Sequence, residues 1–219
     1  MRPSVAPPGE ARPDWEVIRD VAIAMGAPWT YENPAKVMDE IARIAPNLFG
    51  GISYGRLEGD GVQWPCPTSD HPGTRTVHAQ GFVRGKALFT TVDFVPPQDA
   101  TDADHPFILI TGRVLEHYNV GTMTRRGPSV ELVDNDYLEI HPEDAARLGI
   151  RNDTLVSVRS RFGEAKAPAR ITRRVMPQTL FLTFHFPETG TNSVVGPYTD
   201  PKSKCPDYKV VAVRVAPVR

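Results

Sequence analysis

Twenty-two of the 219 residues are proline, about twice the ordinary share, and they are scattered along the chain instead of gathered into one tract. Inside a helix, proline removes a backbone hydrogen bond and collides with the preceding turn; inside a sheet, it interrupts the ladder. Such a chain reads as many short elements joined by ordered loops, not as a disordered segment. Its length still allows a real core, in one large domain or two small ones.

The order of elements follows from local signals. Residues 1–12 are rich in Pro and Gly and form an extended lead-in. Asp14 then stands as an N-cap before Trp15, Ile18, Val21 and Ala22, which are spaced to share one helical face, and Gly26 terminates the run. Ala35–Ala45 reads as a second helix, with Val37, Ile41 and Ile44 on one side and Pro46 ending it. From Leu48 to Val95 the punctuation is too dense for long elements, leaving short extended pieces near Phe82 and Phe89. The polar, acidic stretch Phe94–His105 is the best linker candidate.

Beyond it the grammar changes. Phe107–Thr111 is a buried strand and Tyr137–Ile140 a short one, after which His141-Pro142-Glu143-Asp144 opens a helix that ends at Gly149. Thr154–Arg159 and Ala165–Thr172 form a hairpin around Arg161–Glu164, and Leu180–Phe186 and Lys209–Val215 add two more strands. Several short strands with one small helix predict a compact β-barrel of about 110 residues. The expected fold is mainly β with some α, divided into a helical, loop-rich part (1–100) and a barrel (101–219).

Composition closes off several functions. A net charge of −1 gives no field for recruiting nucleic acid. No run of 18 apolar residues exists, which excludes direct membrane insertion, and the first ten residues lack the apolar region of a secretory signal. Cys66 and Cys205 are too few for a disulfide framework or an iron–sulfur cluster. The expected setting is the cytoplasm, with export to the periplasm possible only alongside a larger partner. Cys66 has no nearby metal-ligand partner except His71, so no metal ligand and no catalytic residue is assigned.

The segment richest in chemistry is Thr111–Arg126, which emerges directly from the apolar strand. Gly112 and Gly121 permit close backbone approach, while the threonine hydroxyls, backbone N–H groups and three arginines supply the donors a pyrophosphate needs. Glu116 and His117 could address the polar edge of a heterocycle. Spacing alone leaves a solvated loop open as the alternative. The segment is neither a Walker-type loop nor a Rossmann fingerprint.

This segment closely resembles the start of the pterin-dinucleotide-binding domain of molybdopterin oxidoreductases. The resemblance continues through Tyr137–Ile150, Thr183–Asn192 and Pro206–Arg214. The phrases Leu115-Glu116-His117, Thr122–Arg126 and Thr183–Glu188 are most similar to formate dehydrogenase alpha subunits, with nitrate reductases somewhat further away. Upstream, Pro7–Trp15, Gly51–Glu58 and Gln63–Thr74 have the same likeness. The family's domain is a double-psi β-barrel, in agreement with the strand reading.

The resemblance implies the carboxy-terminal part of a molybdenum or tungsten enzyme oxidising formate to CO2. The cofactor would be molybdopterin guanine dinucleotide in its bis form (bis-MGD). Thr111, Gly112, Arg113, Val114, Leu115, Glu116, His117, Tyr118, Asn119 and Val120 would contact one dinucleotide, with Thr122, Thr124 and Arg125 extending the phosphate grip. Phe184 would sit near the metal end, Asn192 would hydrogen-bond the cofactor and Lys209 would close the site. From the residues alone, Phe184 could equally be core, Asn192 a turn residue and Lys209 a solvated strand residue, while His185 could face the cofactor or satisfy itself in the core, with core the favoured reading.

In that family the metal-ligating cysteine or selenocysteine, the formate-binding arginine and the cysteines of the 4Fe–4S centre lie in earlier domains, and residues 1–100 carry none of those patterns. The expected partners are those domains or a separate catalytic chain, together with iron–sulfur or flavin electron-transfer subunits. The isolated chain is expected to be inactive. Other readings are a stand-alone pterin-binding module, part of a nitrate reductase-type relative, and a vestigial barrel like those of respiratory NADH-dehydrogenase large subunits.

Overall fold

A computed structural model describes residues 5–218, which divide into two compact units, Met1–Thr91 and Val92–Arg219. In the first unit, helix α1 spans Asp14–Ala24 and helix α2 spans Pro34–Ile44. Asp14 is the first helical residue and not the N-cap. Pro13 holds the cap position without a side-chain bond, so Asp14 and Glu16 act on the positive end of the helix from its first turn. At α2 the Asn33 side chain accepts the Lys36 N–H at 3.1 Å, and Pro34 occupies the position where its missing N–H costs nothing. Pro46 does more than end α2: it begins a one-turn helix α3, Pro46–Phe49.

A 3-10 turn follows at Tyr54–Leu57, and then no strand occurs before Phe107. The extended pieces expected near Phe82 and Phe89 do not form strands, and both rings are exposed. A β-prone sequence needs a partner edge to satisfy its backbone, and none is supplied here. The loop around Cys66 is held instead by Arg56, whose guanidinium donates to the His71 carbonyl at 2.7 Å and to Cys66 Sγ at 3.3 Å.

The second unit is a closed barrel of six strands: β1 (Phe107–Gly112), β2 (Leu138–Ile140), β3 (Leu155–Arg159), β4 (Glu164–Ile171), β5 (Thr179–Thr183) and β6 (Val211–Pro217). Their order around the barrel is β1-β5-β2-β4-β3-β6. The pairs β1/β5 and β2/β4 are parallel and the other four antiparallel. This mixed, closed sheet is the mainly β barrel that the strand pattern predicts, and it agrees with the double-psi β-barrel that the resemblance implies. Alternating residues point inward, so Leu109, Leu138, Ile140, Val156, Val158, Leu180, Leu182, Val211 and Val213 fill the interior with no exposure.

Two short helices complete the unit, α4 (Ser129–Leu132) and α5 (Pro142–Leu148). His141 Nδ1 accepts the Glu143 N–H at the start of α5, and Gly149 closes its end in the left-handed conformation. The expected linker is only partly a linker. Asp99 is buried: it accepts the Ala212 N–H at 2.9 Å and pairs with Arg161. Arg161 also reaches Asp102 at 2.6 Å, and the His105 amide with that guanidinium lowers the Asp102 carboxyl to about 2. Acidic residues that look solvated in sequence thus dock on the barrel because a cation and a free strand N–H await them.

Candidate functional site

At the carboxy-terminal end of β1 the chain leaves the barrel through Gly112, where a Cβ would lie 2.5 Å from the Phe181 ring. Thr111, the last threonine of the strand, donates its hydroxyl to the Tyr208 carbonyl at 2.6 Å. Its own carbonyl accepts Lys209 Nζ, also at 2.6 Å. Residues 98 positions apart in sequence therefore meet at one strand end. Lys209 also lies over the Tyr208 ring, 4.9 Å from its centre.

The following loop folds back on itself. Arg113 donates to the Asn119 side-chain oxygen at 2.9 Å and lies over the Phe184 ring at 5.2 Å. The Val114 N–H donates to His185 Nε2 at 3.0 Å, and His185 Nδ1 donates to the Asn119 carbonyl. Asn119 takes a left-handed conformation, φ 48°, one that asparagine tolerates better than most residues. At Gly121, φ is 72° and a Cβ would meet the His185 carbonyl at 2.8 Å, so only glycine fits.

His117 and Thr124 come together inside the loop. The Tyr118 N–H donates to Thr124 Oγ1 at 3.3 Å, and that oxygen lies 3.0 Å from His117 Nδ1. His117 Nε2 lies 2.7 Å from the Val133 carbonyl, which can only accept, so the hydrogen is on Nε2 and the Thr124 hydroxyl donates to Nδ1. With both ring nitrogens engaged and the ring buried, His117 shapes the loop from within; it does not turn its edge outward to a heterocycle. Arg125 is likewise already engaged. It pairs with Glu188 at 2.8 Å, lies over Phe186 at 4.9 Å, and holds the Glu188 carboxyl below its ordinary range.

Two cavities flank this loop. The first, of about 290 Å³, is lined by Arg113, Val114, Leu115 and Glu116 on one side and by Asp136, Tyr137, Glu139, Arg170 and Thr183 on the other. Arg170 stacks on Tyr137 at 3.9 Å. The second, of about 210 Å³, is lined by Val120, Phe184, Phe186, Thr191 and Asn192 among others. Of the sequence-derived residues, Arg113–Glu116 line the first cavity and Val120, Phe184 and Asn192 the second. Thr111, His117, Thr124 and Lys209 build the frame, while Tyr118 and Thr122 face solvent.

Among the described residues, two that line these cavities hold a buried polar atom without a hydrogen-bond partner: Asp136 Oδ2 beside the first and Thr191 Oγ1 beside the second. Leaving such groups unsatisfied costs about 1–3 kcal/mol each, so they fit a site whose donors and acceptors come from a ligand. Burial raises the Asp136 carboxyl to about 6, against the opposing pull of the Thr183 amide and hydroxyl, the Tyr137 amide and the Thr189 hydroxyl. Sequence reasoning missed Asp136, Thr191 and His185 as site residues. Asp136 and Thr191 reveal themselves only once burial is known. His185, set between two phenylalanines, reads as core until its partners 66 and 71 positions away are seen.

Residues 107–212 match the family model described as the molydopterin dinucleotide binding domain. The F420-dependent formate dehydrogenase 2 subunit alpha of Methanococcus maripaludis is 40% identical over 98% of this chain, which corresponds to 32% of that relative. The assimilatory nitrate reductase catalytic subunit of Bacillus subtilis is 34% identical over 96% of the chain and 31% of its own length. Among solved structures, acetylene hydratase from Pelobacter acetylenicus superposes with a TM-score of 0.64 at 18% identity, covering 98% of this chain and 34% of that one. The chain spans about a third of the length of the curated relatives it matches.

Proposed function

We propose that the chain, whose residues 107–212 match the molydopterin dinucleotide binding domain, is the cofactor-gripping portion of a formate dehydrogenase-type catalytic subunit. The relatives it matches are oxidoreductases, both formate dehydrogenases and nitrate reductases. Formate is the preferred substrate reading because the first three relatives are formate dehydrogenase alpha subunits. Nitrate is the outcome to test against, since that relative is nearly as similar.

The observation that carries the reading is the donor-rich loop with a polar-lined cavity at Arg113–Glu116 and a second at Val120, each cavity also lined by a residue that holds a buried polar atom without a partner among the described residues. A ligand reaching both cavities would be long and polar at each end, with an anionic centre that suits Arg113 and the loop amides. A pterin joined to a nucleotide by pyrophosphate has that form. Arg113 and the loop N–H groups other than those of Val114 and Tyr118, which are donated to His185 and Thr124, would hold the phosphates. Glu116 and Asp136 would face one end in the first cavity, and Asn192, Thr191 and Phe184 the other end in the second. When bound as a guanine dinucleotide pair, this group with its molybdenum or tungsten supplies the two-electron redox chemistry; the chain supplies binding, orientation and exclusion of water.

The two cysteines have no part in this. Cys66 is buried against Arg56 and Cys205 is exposed in a turn. We expect the 219-residue chain alone to show no formate oxidation. Its domains or partner chains of earlier sequence would bring the metal ligand and the 4Fe–4S centre, and iron–sulfur or flavin subunits would take the electrons. Among the described residues no helix is long and apolar enough to cross a membrane; a cytoplasmic setting is part of this proposal.

The test is pterin content in chain purified from a host that makes the cofactor, read by fluorescence after oxidative release. Wild-type chain should carry pterin dinucleotide and Arg113→Ala about tenfold less, the scale of one lost charge-assisted bond of about 1.5–3 kcal/mol. Equal content in both would sink the assignment of Arg113. A dye-linked assay with formate and with nitrate on the chain joined to its upstream sequence decides between substrates.

A further inference from the structure

His185 is fully buried, yet both of its ring nitrogens are spent on one short loop. Nε2 accepts the Val114 N–H and Nδ1 donates to the Asn119 carbonyl, so a single imidazole spans the loop from its first turn to its last. On either side of it, Phe184 carries the Arg113 guanidinium and Phe186 carries Arg125 and the edge of His117. The Gly121 position, where no Cβ fits, lies against the His185 backbone carbonyl. Three consecutive residues thus address the same loop from beneath.

We propose that His185 is the positioning residue of the pterin site: as the neutral Nδ1–H tautomer, and in no other form, it clamps Val114 to Asn119 in the shape that receives the dinucleotide. The ligand half of this statement rests on the functional reading above; the clamp itself does not.

The restriction to one form follows from the partners. A backbone N–H can only donate and a backbone carbonyl can only accept. Protonation of Nε2 would set one donor against another at Val114, and the Nε2–H tautomer would lose both bonds. His117, 5.6 Å away, is not so constrained. Its Nδ1 faces the Thr124 hydroxyl, which can rotate and accept a proton instead of donating one.

The charged and titratable groups around the His185 ring are His117 and Arg113, with the Arg125–Glu188 pair beyond Phe186. Burial, and then the fields of His117 and Arg113, lower the His185 pKa below its ordinary value, while the Asn119 carbonyl pulls it the other way. Because the folded value is depressed, the clamp's contribution is complete above the ordinary histidine range. It is lost as pH falls through the depressed value.

The experiment uses the full chain labelled with nitrogen-15 on histidine, together with amide exchange at Val114. At pH 7 the His185 ring should show the neutral Nδ1–H pattern. The Val114 amide should exchange about tenfold more slowly than in His185→Phe, the scale of one backbone hydrogen bond. His185→Gln, whose side-chain amide offers one donor and one acceptor, should recover part of that protection. On acidification, Val114 protection should fall in step with His185 titration. An imidazolium or Nε2–H ring at pH 7, or Val114 exchange unchanged in His185→Phe, would overturn the clamp. Should His185→Phe not fold, the wild-type titration decides by itself. Pterin content is measured on the same proteins, with a loss of at least about tenfold expected in His185→Phe. Wild-type chain that takes up no pterin would refute the functional reading and the ligand half, with the exchange arm still judging the clamp.

Discussion

In the unit Val92–Arg219 the apolar residues close on one another. The six strands and α5, with Ile150 and Val194 from the connecting turns, bring seventeen of them into a single buried cluster. In the unit Met1–Thr91 the apolar pattern is just as regular, but neither α1 nor α2 has a buried residue. Ile18, Trp29, Ile41 and Ile44 line an open groove of about 490 Å³ between them. The difference lies in closure, not in composition. A barrel finds a partner for every strand within one stretch of chain, whereas two short helices cannot cover each other's faces. Amphipathic spacing states which face is apolar; it does not state what covers that face.

The largest effect that could break this comparison is a core truncation in each unit. Leu180→Ala, at a fully buried position between β1 and β2, should cost about 2–5 kcal/mol in denaturant unfolding. Ile44→Ala, at a position 73% exposed, should stay within about 0.5 kcal/mol. A loss at Ile44 approaching that at Leu180 would mean the helical unit has a core after all. Limited proteolysis sharpens the same contrast. Phe82, Val83, Leu88, Phe89, Val92, Phe94 and Val95 are exposed, while Asp99 and Asp102 are tied to Arg161. First cuts should therefore fall at 82–95, leaving a resistant piece that begins before Asp99. A first cut beyond Asp102 would contradict that anchoring.

The sequence made the barrel legible because strand chemistry is local. The elements at 107–112, 142–148, 155–159 and 164–171 fall within a residue or so of their expected bounds, each announced by alternation or by a Pro and Gly at its ends. The bounds slipped where a strand's end depends on a distant partner: β5 stops at Thr183 and not Phe186, because His185 and Phe186 turn beneath the loop. Within the site, Thr111–Arg125 was legible as a donor-rich loop. Which of those donors are spent internally was not. Thr124 against His117 and Arg125 against Glu188 are tertiary facts, as are the burial of Asp136 and the two bonds of His185.

Asp136 offers the next largest effect, inside the better-packed unit. Its folded carboxyl stands at about 6, above the ordinary 3.8, so the proton is held more tightly in the fold. The associated stability is complete below the unfolded value and is lost as pH rises through the folded one. Asp136→Asn keeps an acceptor for the Tyr137 and Thr183 amides and never ionises. It should match wild type near pH 3.5 and become the more stable of the two above pH 6, by up to about 3 kcal/mol. Urea unfolding at several pH values measures this. An advantage for the variant that is constant across the range would show that ionisation plays no part.

The smallest effect is expected at the rim, where Arg125 meets Glu188. The glutamate is largely exposed, and a pair of this kind gains little because water screens it and two flexible side chains must be held still. Its pKa is lowered, first by the Arg125 hydrogen bond, so whatever the pair contributes is present above the ordinary carboxylate range and fades as pH falls through the folded value. Glu188→Gln should leave the unfolding midpoint unchanged in 1 M salt, where charges beyond about 3 Å are screened. What it should change is the site. Arg125, over Phe186 and beside the loop, loses its only described carboxylate partner and becomes available to an anion. Pterin retention at low salt should therefore rise in Glu188→Gln and fall in Arg125→Ala, with stability nearly constant in both. If retention falls in both, the pair works as a unit to shape the loop, and Arg125 belongs with His117 and Thr124 in the frame and not with Arg113 in the grip.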